Sequence, residues 1–151
     1  MSGTPTSHRL AHEALDEHQQ IHFYLDQVAA SLEALQPGLT EEEPMRRLAA
    51  QMAGLQERLT EHHDLEERGG LFRMILDALP EARVEISRLI RQHEKMIEIL
   101  EMARIHAQRG DPAEAVSLRA DLERFMQVFR SHELEEEQLI RDVMARESRT
   151  P

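Results

Sequence analysis

Residues 129–140 read FRSHELEEEQLI, and seventy positions earlier residues 59–70 read LTEHHDLEERGG. A shift of 70 lays Leu59 on Phe129, His62 on His132 and Glu66 on Glu136, and upstream it lays Leu48 on Leu118, Met52 on Leu122 and Leu55 on Phe125. Apolar residues in both stretches recur three and four apart, the period of a helix with one buried face. A shift of 75 relates two further stretches, placing Leu15 on Ile90, His18 on His93, Ile21 on Met96 and Leu25 on Leu100. The chain is therefore read as a duplicated helix pair. Two such pairs make an all-α, up-down-up-down four-helix bundle.

Punctuation sets the expected helices at roughly 7–36, 41–79, 81–109 and 112–147. Pro37 and Gly38 close the first, Thr40 and Glu43 then form a capping box, and Pro44 falls in the first turn, where its missing N–H costs little. Leu79-Pro80-Glu81 ends the second, and Gly110-Asp111-Pro112 divides the third from the fourth, with Asp111 as the N-cap. Aromatic residues are only 3% of the chain, so strand signals are missing, while good helix formers dominate. Gly69 and Gly70 fall inside the expected second helix, where glycine costs about 1 kcal/mol relative to alanine. A close helix approach, a kink or access to a site are the alternatives for them.

The 151 residues suit one domain spanning 1–151. With no cysteine there are no disulfides, thiolate sites or cysteine nucleophiles, so a metal here must be held by nitrogen and oxygen. A net charge of −11 without a basic patch argues against nucleic acid. The opening residues MSGTPTSHRLAHEALDEH lack an apolar signal region, and no run is long enough to span a bilayer, so a soluble cytoplasmic protein with no membrane association is expected.

Four of the nine histidines, His18, His62, His93 and His132, lie on apolar stripes, and Glu66 and Glu136 follow two of them by one turn. Such stripes exclude ionisable groups unless a partner or a metal compensates them. Residues four apart share a helix face, so each His-x-x-x-Glu can reach the same place. Two glutamates could each bridge two metals while four histidines supply two nitrogens to each. First-row ions would then keep open positions for a small ligand, unlike a closed zinc site.

These residues resemble the hemerythrin-like, or HHE cation-binding, family, whose pattern is H…HxxxE…H…HxxxE on four helices. The likeness covers nearly the whole chain and rests on LDEHQQI, EHHDLEERGGLF, IRQHEKMI and FRSHELEEEQLI. It implies a non-haem centre of two iron ions, oxo- or hydroxo- and carboxylate-bridged, with His18, His62, His93 and His132 as terminal ligands and Glu66 and Glu136 as bridges. It further implies a small ligand such as O₂, peroxide or nitric oxide, which the centre binds or reacts with. Sensing, iron storage and iron donation for repair are the alternatives. Oxygen carriers have a second histidine one turn after the third-helix ligand, where this chain has Ile97. That departure favours the four-histidine bacterial subgroup, associated with iron, peroxide or nitric-oxide responses.

Some assignments stay open at this point. His63 and Glu67 have the same spacing as His62 and Glu66, but only the latter pair keeps the upstream stripe in register. His63 then falls at the position of Glu133, as an outer partner or extra ligand. His22 is either a fifth ligand or a hydrogen-bonded core histidine. His8, His12 and His106, near segment ends, are expected in solvent, as are the glutamates flanking Glu136.

Overall fold

The computed structural model describes residues 3–35, 42–110 and 114–149. Helices α1 (Gly3–Glu33), α2 (Glu42–Glu67), α4 (Arg83–Arg109) and α5 (Ala115–Ser148) form the bundle, and a short α3 (Leu71–Ala78) with a 3-10 turn at Pro80–Ala82 links α2 to α4. Each long helix packs on its two neighbours in the order α1, α2, α4, α5 and back to α1. This is the expected up-down-up-down arrangement. Among the described residues no helix is long and apolar enough to cross a membrane.

The expected second helix, 41–79, is instead two helices. Gly70 has φ +108°, a left-handed conformation that side chains disfavour, and a Cβ on Gly69 would lie 2.4 Å from the Leu65 carbonyl oxygen. The two glycines thus turn the chain, and α3 lays Leu71, Phe72 and Ile75 against the end of the bundle. Arg146 of α5 secures this cap by donating to the Ala78 carbonyl and to Glu81. The third helix ends as expected, on Gly110 at φ +66°. Pro37, Gly38, Thr40, Asp111 and Pro112 lie outside the described residues.

The buried stripe of α1 differs from the expected one at its start. Leu15 is 41% exposed, and Ala11 and Ala14 are buried in its place, because stepping back from His18 by four and seven keeps to the inward face while three does not. Two apolar clusters fill the bundle. One runs from Ile21 through Leu59, Met96 and Leu100 to Phe129, and the other gathers Ala11 and Ala14 with Phe72, Ile75, Leu89 and Val143. Helices α1, α4 and α5 pass from one cluster to the other at His18, His93 and His132, and α2 ends beyond His62 where α3 takes over, so a polar layer lies between two apolar ones.

Candidate metal centre

That layer contains His18, His62, Glu66, His93, His132 and Glu136, each at most 3% exposed. The six converge in two overlapping sets: His18, His62, Glu66 and Glu136 in one, and Glu66, His93, His132 and Glu136 in the other, with one potential ligand atom from each residue of a set within 4.8 Å of the others. Glu66 turns Oε1 to His62 and Oε2 to His93, 3.2 Å away. Glu136 places Oε1 3.0 Å from His18 Nε2 and Oε2 3.1 Å from His132 Nε2. Each carboxylate therefore divides its two oxygens between the two histidine pairs.

All four histidines point Nε2 inward and Nδ1 outward to an acceptor. His62 Nδ1 donates to Glu17, His93 Nδ1 to Glu67 at 2.8 Å, His132 Nδ1 to Gln92 Oε1 at 2.8 Å, and His18 Nδ1 to Glu137 at 3.4 Å. An acceptor on Nδ1 fixes the tautomer that leaves an Nε2 lone pair facing the centre, as metal-bound histidines require. The acceptors form a closed ring: α1 holds the histidine of α2, α2 that of α4, α4 that of α5, and α5 that of α1.

Inside the ring the polar atoms are poorly satisfied. Both oxygens of Glu66 and of Glu136, and His62 Nε2, are buried without a hydrogen bond, because the nearby nitrogens are close but misaligned. Leaving such groups unpaired is costly, whereas a cation among them would satisfy all of them. The donor set of four imidazoles and two carboxylates suits a first-row transition ion, and the residues fit a metal pair.

The electrostatics show the same need. Burial opposes protonation of His132, but Glu136 and Glu66 outweigh it and raise its pKa to about 9. His18 is likewise raised, burial again being overcome by Glu136. His93 has its pKa lowered to about 3 by burial and by neighbouring His132. Burial and the charge of Glu136 push the Glu66 carboxyl well up, while contacts from Glu66, His132 and His18 hold Glu136 well down against burial.

The family model that describes the hemerythrin HHE cation-binding domain matches residues 7–142. The chain belongs to the hemerythrin HHE cation-binding family. No curated protein and no solved structure matches it. Membership of the HHE family and the buried histidine–glutamate cluster together make this a metal-binding domain.

Other residues singled out in the sequence lie around this HHE centre. Glu67 accepts from His93 and does not pair with His63. His63 is buried but belongs to neither set, and its Nε2 has no hydrogen-bond partner. Its pKa is lowered to about 2 by burial and by His93 and His132. His22, whose side chain is 44% exposed, also lies outside both sets and donates Nε2–H to Glu133 at 2.8 Å. His8 and His12 are exposed as expected, but His106 is half-buried, 3.4 Å from Asp121 where α5 crosses α4. The sequence reading missed Glu17, Gln92 and Glu137. Each adjoins one of the six cluster residues, which was the available signal.

The centre is bordered on two sides. Between α2 and α4 an open groove of about 680 Å³ has His63, His93, Glu67 and Ile97 in its lining. Between α1 and α2 a cavity of about 30 Å³ touches Glu17, His62 and Glu66.

Proposed function

We propose that this protein carries a non-haem di-iron centre that binds or reacts with a small ligand: O₂, peroxide or nitric oxide. The observation that carries the reading is the division of Glu66 and Glu136 between the two histidine pairs, which suits two bridged metals and not one. A bound iron pair supplies open coordination positions and electrons for such a ligand. The chain's residues hold four imidazoles in one tautomer, seal the layer from bulk water and leave the α2/α4 groove as an approach. Ile97 fills the position where oxygen carriers have another histidine, and His22 belongs to neither four-residue set. Four histidines leave more coordination positions open than five, which favours reaction with the ligand over reversible carriage.

The test is anaerobic reconstitution with Fe(II), followed by optical spectra after O₂, peroxide and nitric oxide are added separately. Two irons per chain and a ligand-dependent absorption change are expected. A plateau at one metal, or a preference for tetrahedral zinc, would overturn the reading.

A further inference from the structure

The duplication allows the two halves of the centre to be compared residue by residue. The shift of 70 pairs Glu67 with Glu137, and both accept from a histidine of the next helix. The shift of 75 pairs Glu17 with Gln92, and these also play the same part, but one is a carboxylate and the other an amide. A further pair differs in the same sense, and another differs without adding a carboxylate. Glu133 lies beside His18, while its counterpart His63 stacks on His93. His22 donates to Glu133, while its counterpart Ile97 is apolar.

The sum is an uneven field. Around the His18/His62 pair are three outer carboxylates, Glu17, Glu133 and Glu137, the second shared with His22. Against the His93/His132 pair one carboxylate, Glu67, accepts from an imidazole, with Gln92 and His63 in the other two places, while Glu61, Asp64, Glu94 and Glu98 line the groove beyond. A carboxylate accepting from Nδ1–H makes the imidazole a stronger donor than an amide does, and each added negative charge favours a nearby cation. Access is uneven too, since His93 lines an open groove of about 680 Å³ while the cavity beside His62 is about 30 Å³.

We propose that Glu17 and Gln92 are positioning residues that make the two metal positions unequal: the His18/His62 position fills first and holds its ion, and the His93/His132 position is the weaker, exchangeable one. This rests on the metal-pair reading above and adds an order to it. Removing one outer partner of a metal-bound histidine costs about 10- to 100-fold in affinity, and an amide in place of a carboxylate weakens that partner without removing it, so a difference of about tenfold between the positions is expected.

The test uses the full chain with one equivalent of Co(II) and reads anomalous diffraction at both positions. In the wild type, density at His18/His62 should exceed that at His93/His132 about threefold, because one equivalent shared by two positions divides as the square root of their affinity ratio. Gln92→Glu should narrow the difference, because it adds an acceptor carboxylate at the His93/His132 position. The charge-neutral double swap, Glu17→Gln with Gln92→Glu, leaves two carboxylates against the histidines on each side and should bring the positions close to equal. Equal filling in the wild type, or a double swap that leaves the ratio unchanged, overturns the inference while leaving the metal pair intact. Absence of cobalt from the six-residue cluster overturns the metal-pair reading and this inference together.

Discussion

His63 lies face to face with His93, their ring centroids 3.7 Å apart and their planes within 9° of parallel. Phe72 stacks on His93 as well, at 5.5 Å, so two flat side chains brace that imidazole. The stacking makes His63 a packing support for a histidine of the buried cluster. Hence His63→Ala should retain two metals and lose about 1 to 3 kcal/mol of stability, while His63→Phe, which keeps a ring, should lose less. Metal analysis with chemical denaturation measures both. In contrast, His62→Ala should lose metal as His132→Ala does, and the reverse result would transfer the ligand role to His63.

Glu66 and Glu136 each face both histidine pairs, so neither metal should survive intact when one is removed. Glu66→Ala and Glu136→Ala should each weaken binding of both ions, by at least tenfold, as read by metal content after dialysis. Loss of a single ion in either variant would make that glutamate a terminal ligand.

Above pH 6.5 acidity should act oppositely on metal binding and on the metal-free fold. In the metal-free protein His132 holds its proton up to about pH 9, so metal must displace it, and affinity should rise about tenfold per pH unit for each displaced proton up to that point. For folding, the raised value means stability fully present below the unfolded value of 6.5 and lost as pH rises through about 9. His93, lowered to about 3, works the other way: the unfolded chain takes up its proton below 6.5, so stability falls as pH drops from there towards 3. From these two groups the metal-free protein should be most stable near pH 6.5, while the metal-loaded protein gains on it as pH rises. Thermal melts of both forms between pH 5 and 9 test this, and parallel profiles would refute it.

Gly70 should resist substitution. At φ +108° an alanine would be strained, and Gly70→Ala should cost about 1 to 3 kcal/mol. Because the turn lies outside the ligand set, two metals should still bind. Urea denaturation and metal analysis report the two effects separately.

His22→Leu copies Ile97, its counterpart in the other half. With His22 bonded to Glu133 and half-exposed, this variant should keep two metals and an unchanged charge-transfer spectrum. A marked spectral change would show that His22 reaches metal.

The helices and the six cluster residues were legible because a buried ionisable group on an apolar stripe contradicts its surroundings, and the duplication repeats the contradiction at His62 and His132. What the stripe cannot show is which residue of the neighbouring helix lies opposite. Periodicity places Glu17, Gln92 and Glu137 at the margin of their own helices, and only packing reveals that each serves the next one. Glu137 looked like solvated charge beside Glu136 for that reason, and His106 looked solvated because nothing in its own helix announces Asp121. The α2–α3 break was half legible: Gly69 and Gly70 marked a place, but the left-handed turn at Gly70 depends on where α3 finds its apolar contacts.

The ring of outer acceptors also makes the centre a gauge of helix register. Each long helix offers one metal-facing histidine and, a residue or a turn away, the acceptor that orients its neighbour's. A slip of one helix by a single turn, about 5.4 Å, would withdraw both at once and disturb the centre from two sides. Apolar packing alone tolerates such a slip more readily, since one turn of a stripe resembles the next. Chains threaded one turn out of place would therefore be compact yet unable to load metal, and loading would select the correctly aligned bundle from its near copies.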